Sequence, residues 1–343
     1  MSRRETQRSA VQISQRDALD AELRAPLDEL LEMFPGGVYA IENLAERRRI
    51  EAAHAAELVE AVKATQTCST EDVRVPGPIG CADVSVRIYR PRRPQPDSPA
   101  VFFIHGGGMQ VGDLDYEHAT AMRICEELGT LVVSTDYRKA PEHPHPAPLD
   151  DCYAALSWMS NNATSLDFDP GRLAIFGGSA GGNLALATAL KARDLAGPAL
   201  CYVMALYPMV DHRNATPSAH EVTAVGAWDR RTNVEAWEWF LAGQVADGYA
   251  APLHADDLAG LPPTFIDVGT VDVFRDEDLA IAQRLLAAGV STELHVYPGV
   301  YHAAEHYAPD AEAARHMWTV RFRALRRALS IPPVPLDARG EQP

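Results

Sequence analysis

The sequence predicts an α/β fold in which a mostly parallel sheet is covered by helices, with a helical lid beside it. Three observations predict it. Continuous apolar runs of strand length recur through the middle of the chain and mostly alternate with helical patterns, as expected of strands buried on both faces. A glycine-rich turn, Gly177-Gly-Ser-Ala-Gly181, lies between one such run and the helical stretch Leu184–Leu190. Two segments, one amino-terminal and one internal, stand outside this alternation.

The elements follow in order. From about Asp17 to Val62 the apolar residues Leu23, Leu27, Leu30, Leu31 and Phe34 fall at helical spacing, and Pro35-Gly36-Gly37 separates them from a charged second helix. After Thr70, Val73-Arg-Val75 and Val84–Tyr89 alternate apolar with polar residues, which suits antiparallel strands at a sheet edge. The buried runs are Ala100–Ile104, Leu131–Val133, Leu173–Phe176, Tyr202–Leu206 and Thr264–Val268, and Glu293–Tyr297 closes the set. Between about Asp211 and Asp256 the alternation gives way to a polar loop and the aromatic helix Val234–Leu241, read as an insertion that joins the amino-terminal helices in a cap. The expected organisation is cap helices over 1–65, a core over 66–332 carrying the cap insertion at 211–256, and a flexible tail over 333–343. No internal repeat or low-complexity tract interrupts it.

Composition narrows the function. At 343 residues, with 47% hydrophobic and 23% charged residues, the chain reads as a folded globular protein. Its formal charge of −16 disfavours nucleic acid and anionic membrane surfaces as partners, because both repel an acidic protein. The polar stretch Met1–Ala10 leads into no apolar run of signal-peptide length, and no stretch reaches membrane-spanning length, so a cytoplasmic location is expected. Cys68, Cys81, Cys125, Cys152 and Cys201 are odd in number and lack CxxC spacing, which indicates reduced thiols rather than a disulfide framework or zinc knuckle, with Cys125 and Cys201 filling core positions.

The turn at 177–181 matches Gly-x-Ser-x-Gly, in which a strand turns so tightly into a helix that side chains two positions either side of the serine must vanish. A helix starting there also aims its N–H groups at negative charge developing on the serine. A phosphate loop is a poor alternative, since no Lys-Ser or Lys-Thr follows the glycines and the G-x-G-x-x-G spacing is not met. His105-Gly-Gly-Gly108, directly after a buried strand, is the more specific motif, expected by chance in roughly one chain in several hundred. Successive glycines expose backbone N–H groups of the kind an oxyanion hole needs.

A serine nucleophile needs a base, and the base an orienting acid, in the chain order serine, acid, histidine on this fold. Among the histidines after Ser179, His302 stands just beyond the last strand run. His295 alternates within that run and reads as a structural residue, which leaves His306 as the nearest rival. Asp272 follows the strand ending at Val268, whereas Asp267 lies inside it and Asp276 and Glu277 read as first-turn helix charges. Asp113 and Asp115 are expected to order the loop after the glycines, and Asp150 with Asp151 to cap a helix.

Taken together, these motifs with Asp136-Tyr-Arg-Lys-Ala-Pro-Glu-His143, Leu149–Leu156 and Asp272–Glu277 resemble the bacterial hormone-sensitive-lipase family of esterases, from about Val84 to Leu329. The resemblance implies an α/β-hydrolase fold with an eight-stranded, mostly parallel sheet and a helical cap. It implies Ser179 as nucleophile, Asp272 as acid and His302 as base, with the N–H groups of Gly107, Gly108 and Ala180 as oxyanion hole. The sequence departs from the family at Gly178, where an aspartate is usual, at Met109, where an aromatic is usual, at Lys139, and at His302-Ala-Ala-Glu305, where His-Gly-Phe is usual.

The expected function is therefore a carboxylesterase for small to medium acyl esters, with a small-molecule ester as partner and no cofactor or metal. Phe34 and Tyr39 on one side, and Trp228, Trp237, Trp239 and Phe240 on the other, are candidate acyl-pocket residues, with Met109 and Gly178 as further substrate contacts. A binding protein or a lyase on the same scaffold is the alternative. A homodimer through the exposed edge of the last strand is compatible with the pattern.

Overall fold

A computed structural model describes residues 15–93 and 97–332. The expected tail over 333–343 lies outside the described residues, as does the chain before residue 15. Eight strands form one sheet: β1 (Ser69–Val75), β2 (Val84–Arg90), β3 (Ser98–Ile104), β4 (Leu131–Asp136), β5 (Phe168–Gly178), β6 (Tyr202–Leu206), β7 (Thr264–Val271) and β8 (Thr292–Tyr301). They run in the order β1-β2-β4-β3-β5-β6-β7-β8. β1 and β2 pair antiparallel, as do β2 and β4, and every other neighbouring pair is parallel. The sheet has the architecture that the sequence predicts.

The buried runs behave as strands covered on both faces. Ala100, Phe102 and Ile104 join the core on one side of the sheet, and Val101 and Phe103 the core on the other, because successive side chains of a strand point to opposite faces. Phe103 stacks on Phe176 across the β3–β5 pair at 5.2 Å between centroids. β8 runs further than its apolar stretch suggests. Pro298-Gly299 reads as a turn, yet a register shift between Gly269 and Val271 lets the ladder resume, with Val271 opposite Tyr301. His302 is thereby placed one residue past the strand.

The helices Ala21–Met33 and Leu44–Lys63 begin at Asp20 and Asn43, whose side chains accept the N–H groups of Glu22 and Glu46. The first is anchored to the far end of the chain. The Asp20 N–H donates to the Gly299 carbonyl (3.0 Å), Tyr301 Oη donates to the Leu23 carbonyl (3.1 Å), and the Glu312 N–H donates to Glu22 Oε2 (2.7 Å). Both helices also meet the insertion between β6 and β7, which contains the helices Pro217–Glu221 and Arg230–Leu241. Arg16 donates to the Val225 carbonyl, Arg47 pairs with Glu235 at 2.8 Å, and the Tyr39 and Trp228 rings meet edge to face.

One helix-charge expectation is corrected. Asp150 and Asp151 lie inside the helix Ala147–Asn161 and cap nothing: Asp150 pairs with Lys191, while the buried Asp151 accepts the Arg138 backbone N–H and its guanidinium. Glu277 is in the first turn of Arg275–Ala287 but fully buried, where its Oε1 accepts the N–H groups of Val210 and Asp211. Asp113 does order its loop, accepting from the N–H groups of Asp115 and Tyr116. Cys125 is buried as expected, whereas Cys201 is only half-buried.

Candidate active site

Strand β5 ends at Gly178, and the helix Ala180–Asp194 begins two residues later. Ser179 is the whole of the turn, at φ 57°, ψ −120°, a conformation that non-glycine residues rarely adopt. The flanking glycines are forced by space. A Cβ on Gly177 would lie 2.2 Å from the Gly181 carbonyl oxygen, and one on Gly181 would lie 2.2 Å from the Ile104 carbonyl oxygen. The turn is held from below, since the Ser179 N–H donates to the Leu206 carbonyl (2.9 Å) and Asn183 Nδ2 donates to the carbonyls of Met209 and Ala250.

The structure brings the three chemically distinctive side chains together. His302 Nε2 is 2.9 Å from Ser179 Oγ, and His302 Nδ1 is 2.9 Å from Asp272 Oδ2. Asp272 is fully buried after β7, and its other carboxylate oxygen accepts the Phe274 N–H. With the imidazole proton on Nδ1, facing Asp272, the Nε2 lone pair faces the serine hydroxyl. The His302 ring is boxed by the edges of Phe274 (5.0 Å) and Tyr207 (4.9 Å), which restricts its rotation. His295 instead bonds Glu293 within β8, and His306 lies further along the cavity wall.

The glycine loop runs past this serine. His105 stacks on Tyr137 at 4.3 Å, burial drives its pKa down to about 3, and Tyr137 Oη donates to the carbonyls of His105 and Gly106. The neutral imidazole and the phenol together fix the loop's start. Gly107 and Gly108 take left-handed φ of 92° and 60°. A Cβ on Gly108 would strike the Trp228 ring at 2.2 Å, so the insertion closes directly onto the loop. Among the described residues, the N–H groups of Gly107, Gly108 and Ala180 have no acceptor, the last because it opens a helix.

Ser179, His302 and the glycines floor a cavity of about 610 Å³ whose walls include Phe34, Tyr39, Glu51 and Trp228. Other expected pocket residues lie elsewhere. Met109 is fully buried in the core and its carbonyl accepts the Ala140 N–H, and Gly178 faces the Tyr207 ring rather than the cavity. Phe240 packs on His145, Trp237 packs on Phe240, and Trp239 lies against Arg47. The aromatic helix thus presents its rings to the core and to the amino-terminal helices.

Sequence reasoning missed a charged group behind the histidine. Arg321, fully buried, donates to Asp267 Oδ2 (2.8 Å) and to Glu305, which also accepts from Tyr207 Oη at 2.8 Å. Burial opposes the Glu305 charge, but the Arg321 guanidinium outweighs it and holds the carboxyl well below its usual range. The signal was present in the two departures Gly178 and Glu305. A Cβ at 178 would come within 3.2 Å of the Tyr207 ring that Glu305 holds, so the space beside the serine is already taken.

Burial also pushes the Glu51 carboxyl up, to about 7, with a hydrogen bond from Tyr39 and the charge of Arg47 opposing it. An acid whose folded pKa exceeds its unfolded value costs stability as pH rises through the interval between them, here from its ordinary 4.5 to about 7. Glu51→Gln is therefore expected to raise the melting temperature above that of wild type at pH 8 and by much less at pH 5. Equal differences at both pH values would contradict this.

The sequence profile of the alpha/beta hydrolase fold family matches residues 101–306. The carboxylesterase NlhH of Mycobacterium tuberculosis is 38% identical over 262 residues, covering 75% of this chain and 82% of the relative. The crystal structure of esterase LipW from Mycobacterium marinum superposes with a TM-score of 0.82 at 35% identity, covering 92% of this chain and 98% of that one. A bacterial heroin esterase superposes with a TM-score of 0.85 at 33% identity, covering 92% and 99%.

Proposed function

Because the chain belongs to the alpha/beta hydrolase fold family, in its hormone-sensitive-lipase branch of esterases, we propose that it hydrolyses carboxylic esters of small to medium acyl chains through an acyl-enzyme on Ser179. The observation that carries the assignment of residues is the unbroken chain from Asp272 through His302 to Ser179, at 2.9 Å in each link. His302 takes the serine proton as Oγ attacks the ester carbonyl, and Asp272 stabilises the imidazolium so formed. The N–H groups of Gly107, Gly108 and Ala180 receive the oxyanion, with the positive end of the helix Ala180–Asp194 behind them. His302 then protonates the departing alcohol, and a water deprotonated by the same nitrogen attacks the acyl-enzyme and releases the acid. These steps draw only on protein groups and water.

The described residues 15–65 and the segment 211–256 act together as the cap, since contacts such as Tyr39 with Trp228 and Arg47 with Glu235 join them beside the cavity. Phe34 and Trp228 form its apolar wall. Hydrolysis of p-nitrophenyl esters from acetyl to decanoyl tests the activity, and covalent labelling by a fluorophosphonate tests for an activated serine. No turnover and no labelling in folded protein would reject the reading.

Trp228 is the residue expected to set chain length. Its ring tip lies over Gly108 while its Nε1 donates to Asn233 Oδ1 at 3.1 Å, which fixes its tilt. Trp228→Ala should move the optimum to longer acyl chains and lower kcat/KM for the acetyl ester by about tenfold, the loss of one large apolar contact in a pocket. An unchanged chain-length profile would place the acyl group elsewhere.

A further inference from the structure

We infer that Asp211, His212 and His254 form a binding site for a divalent transition-metal ion such as Zn²⁺, at the stem of the cap insertion and apart from the serine site. A carboxylate oxygen of Asp211 and one ring nitrogen of each histidine lie within 4.8 Å of one another. Two imidazoles with one carboxylate are the donor set preferred by zinc and its neighbours, while Ca²⁺ and Mg²⁺ favour oxygen ligands alone. The Asp211 side chain is 1% exposed and that of His254 28% exposed. His212 Nδ1 is buried and has no partner among the described residues, a cost that ligation through that nitrogen would remove.

The surroundings suit an ion. His254 Nε2 already meets Asp211 Oδ1 at 2.8 Å, so moving the imidazole proton to Nδ1 turns that nitrogen's lone pair inward without net proton release. Arg213, half-exposed, grips Asp211 at Oδ2 (2.9 Å) and also reaches Oδ1 (2.9 Å). Its bond to Oδ2 can persist while Oδ1 ligates, as hydrogen bonds from outside commonly orient a ligating carboxylate. Glu277 holds the backbone N–H groups of Val210 and Asp211 from beneath. His212 also lines a surface cavity with Arg213, Trp237 and Gln244, which gives water access to the remaining coordination positions.

The position gives the site a role. Asp211 and His212 open the insertion and His254 closes it, 43 positions later. An ion held by all three clips the two ends of the insertion together in the folded protein and stabilises it by binding that state alone. The full chain, freed of metal by chelator and dialysis, is titrated with Co²⁺ and then Zn²⁺. One equivalent of Co²⁺ should bind with visible ligand-field absorption that Zn²⁺ abolishes, and Zn²⁺ should raise the melting temperature. His212→Ala and His254→Ala should each weaken binding by more than about tenfold, while Ser179→Ala should bind as wild type. Absence of Co²⁺ absorption in the wild-type protein would overturn the site without recourse to variants, and binding that survives both histidine substitutions would place the ion elsewhere.

Discussion

Ser179→Ala loses ester hydrolysis by roughly 10⁴- to 10⁶-fold in kcat while keeping the wild-type melting temperature within a few degrees. The substitution removes one oxygen, whose one hydrogen-bond partner among the described residues is His302 Nε2. The strained backbone of the turn is imposed from outside, by the Ser179 N–H bond to Leu206 and by the close passage of Gly177 and Gly181, so alanine inherits the same conformation. His302→Ala should fall to a similar residual rate, because serine and base act as one unit and their losses do not add. Steady-state hydrolysis of a p-nitrophenyl ester by the three proteins, with circular dichroism to confirm folding, decides the matter. A serine variant retaining a tenth of wild-type turnover would move the nucleophile to another residue.

Arg321→Ala is expected to produce the largest loss of stability. Truncation leaves Asp267 and Glu305 without their shared cation in a region where both are 4% exposed or less. Breaking a buried pair from one side costs about 3–5 kcal/mol, equivalent in a chain of this length to a fall of about 4–7 °C in melting temperature. The sign with pH follows. In the variant both carboxyls have raised folded pKa values, so the deficit is greatest near pH 8 and shrinks as acid protonates them. Glu305 also holds Tyr207 against the His302 ring, so kcat should fall with little change in KM. An Arg321→Ala protein melting like wild type at pH 8 would show that the pair contributes nothing.

What could be read from the sequence was whatever local rules dictate. The central strands were visible because parallel strands covered on both faces must be apolar throughout, the two antiparallel strands because apolar and polar residues alternate along them, and the turn at Ser179 because its glycines answer to close contacts at the turn. Asp272 and His302 were found by chain order after a strand, a rule about where a sheet ends. The rest depends on contacts distant in sequence. Arg321 reads as one of many helix arginines until β7 and the His302 turn surround it. Trp237 and Phe240 stand at helical spacing, a pattern that a pocket wall and a core face share, and the structure buries both in the core. Met109 follows the glycines directly, yet its left-handed backbone, at φ 57°, takes it away from the cavity.

The anchoring of the first helix to Gly299, Tyr301 and Glu312 has a consequence for how the protein is made. Leu23 leaves the ribosome 278 residues ahead of the tyrosine whose hydroxyl it receives. At roughly 5–20 residues per second that interval is about 15 to 55 seconds, during which the helix lacks this anchor. The first helix therefore settles late, and until it does, the wall bearing Phe34, Tyr39 and Glu51 lacks these anchors. The substrate chamber is therefore closed only after the residues around the end of β8 have been made, and its serine meets esters in an enclosed site only from then on.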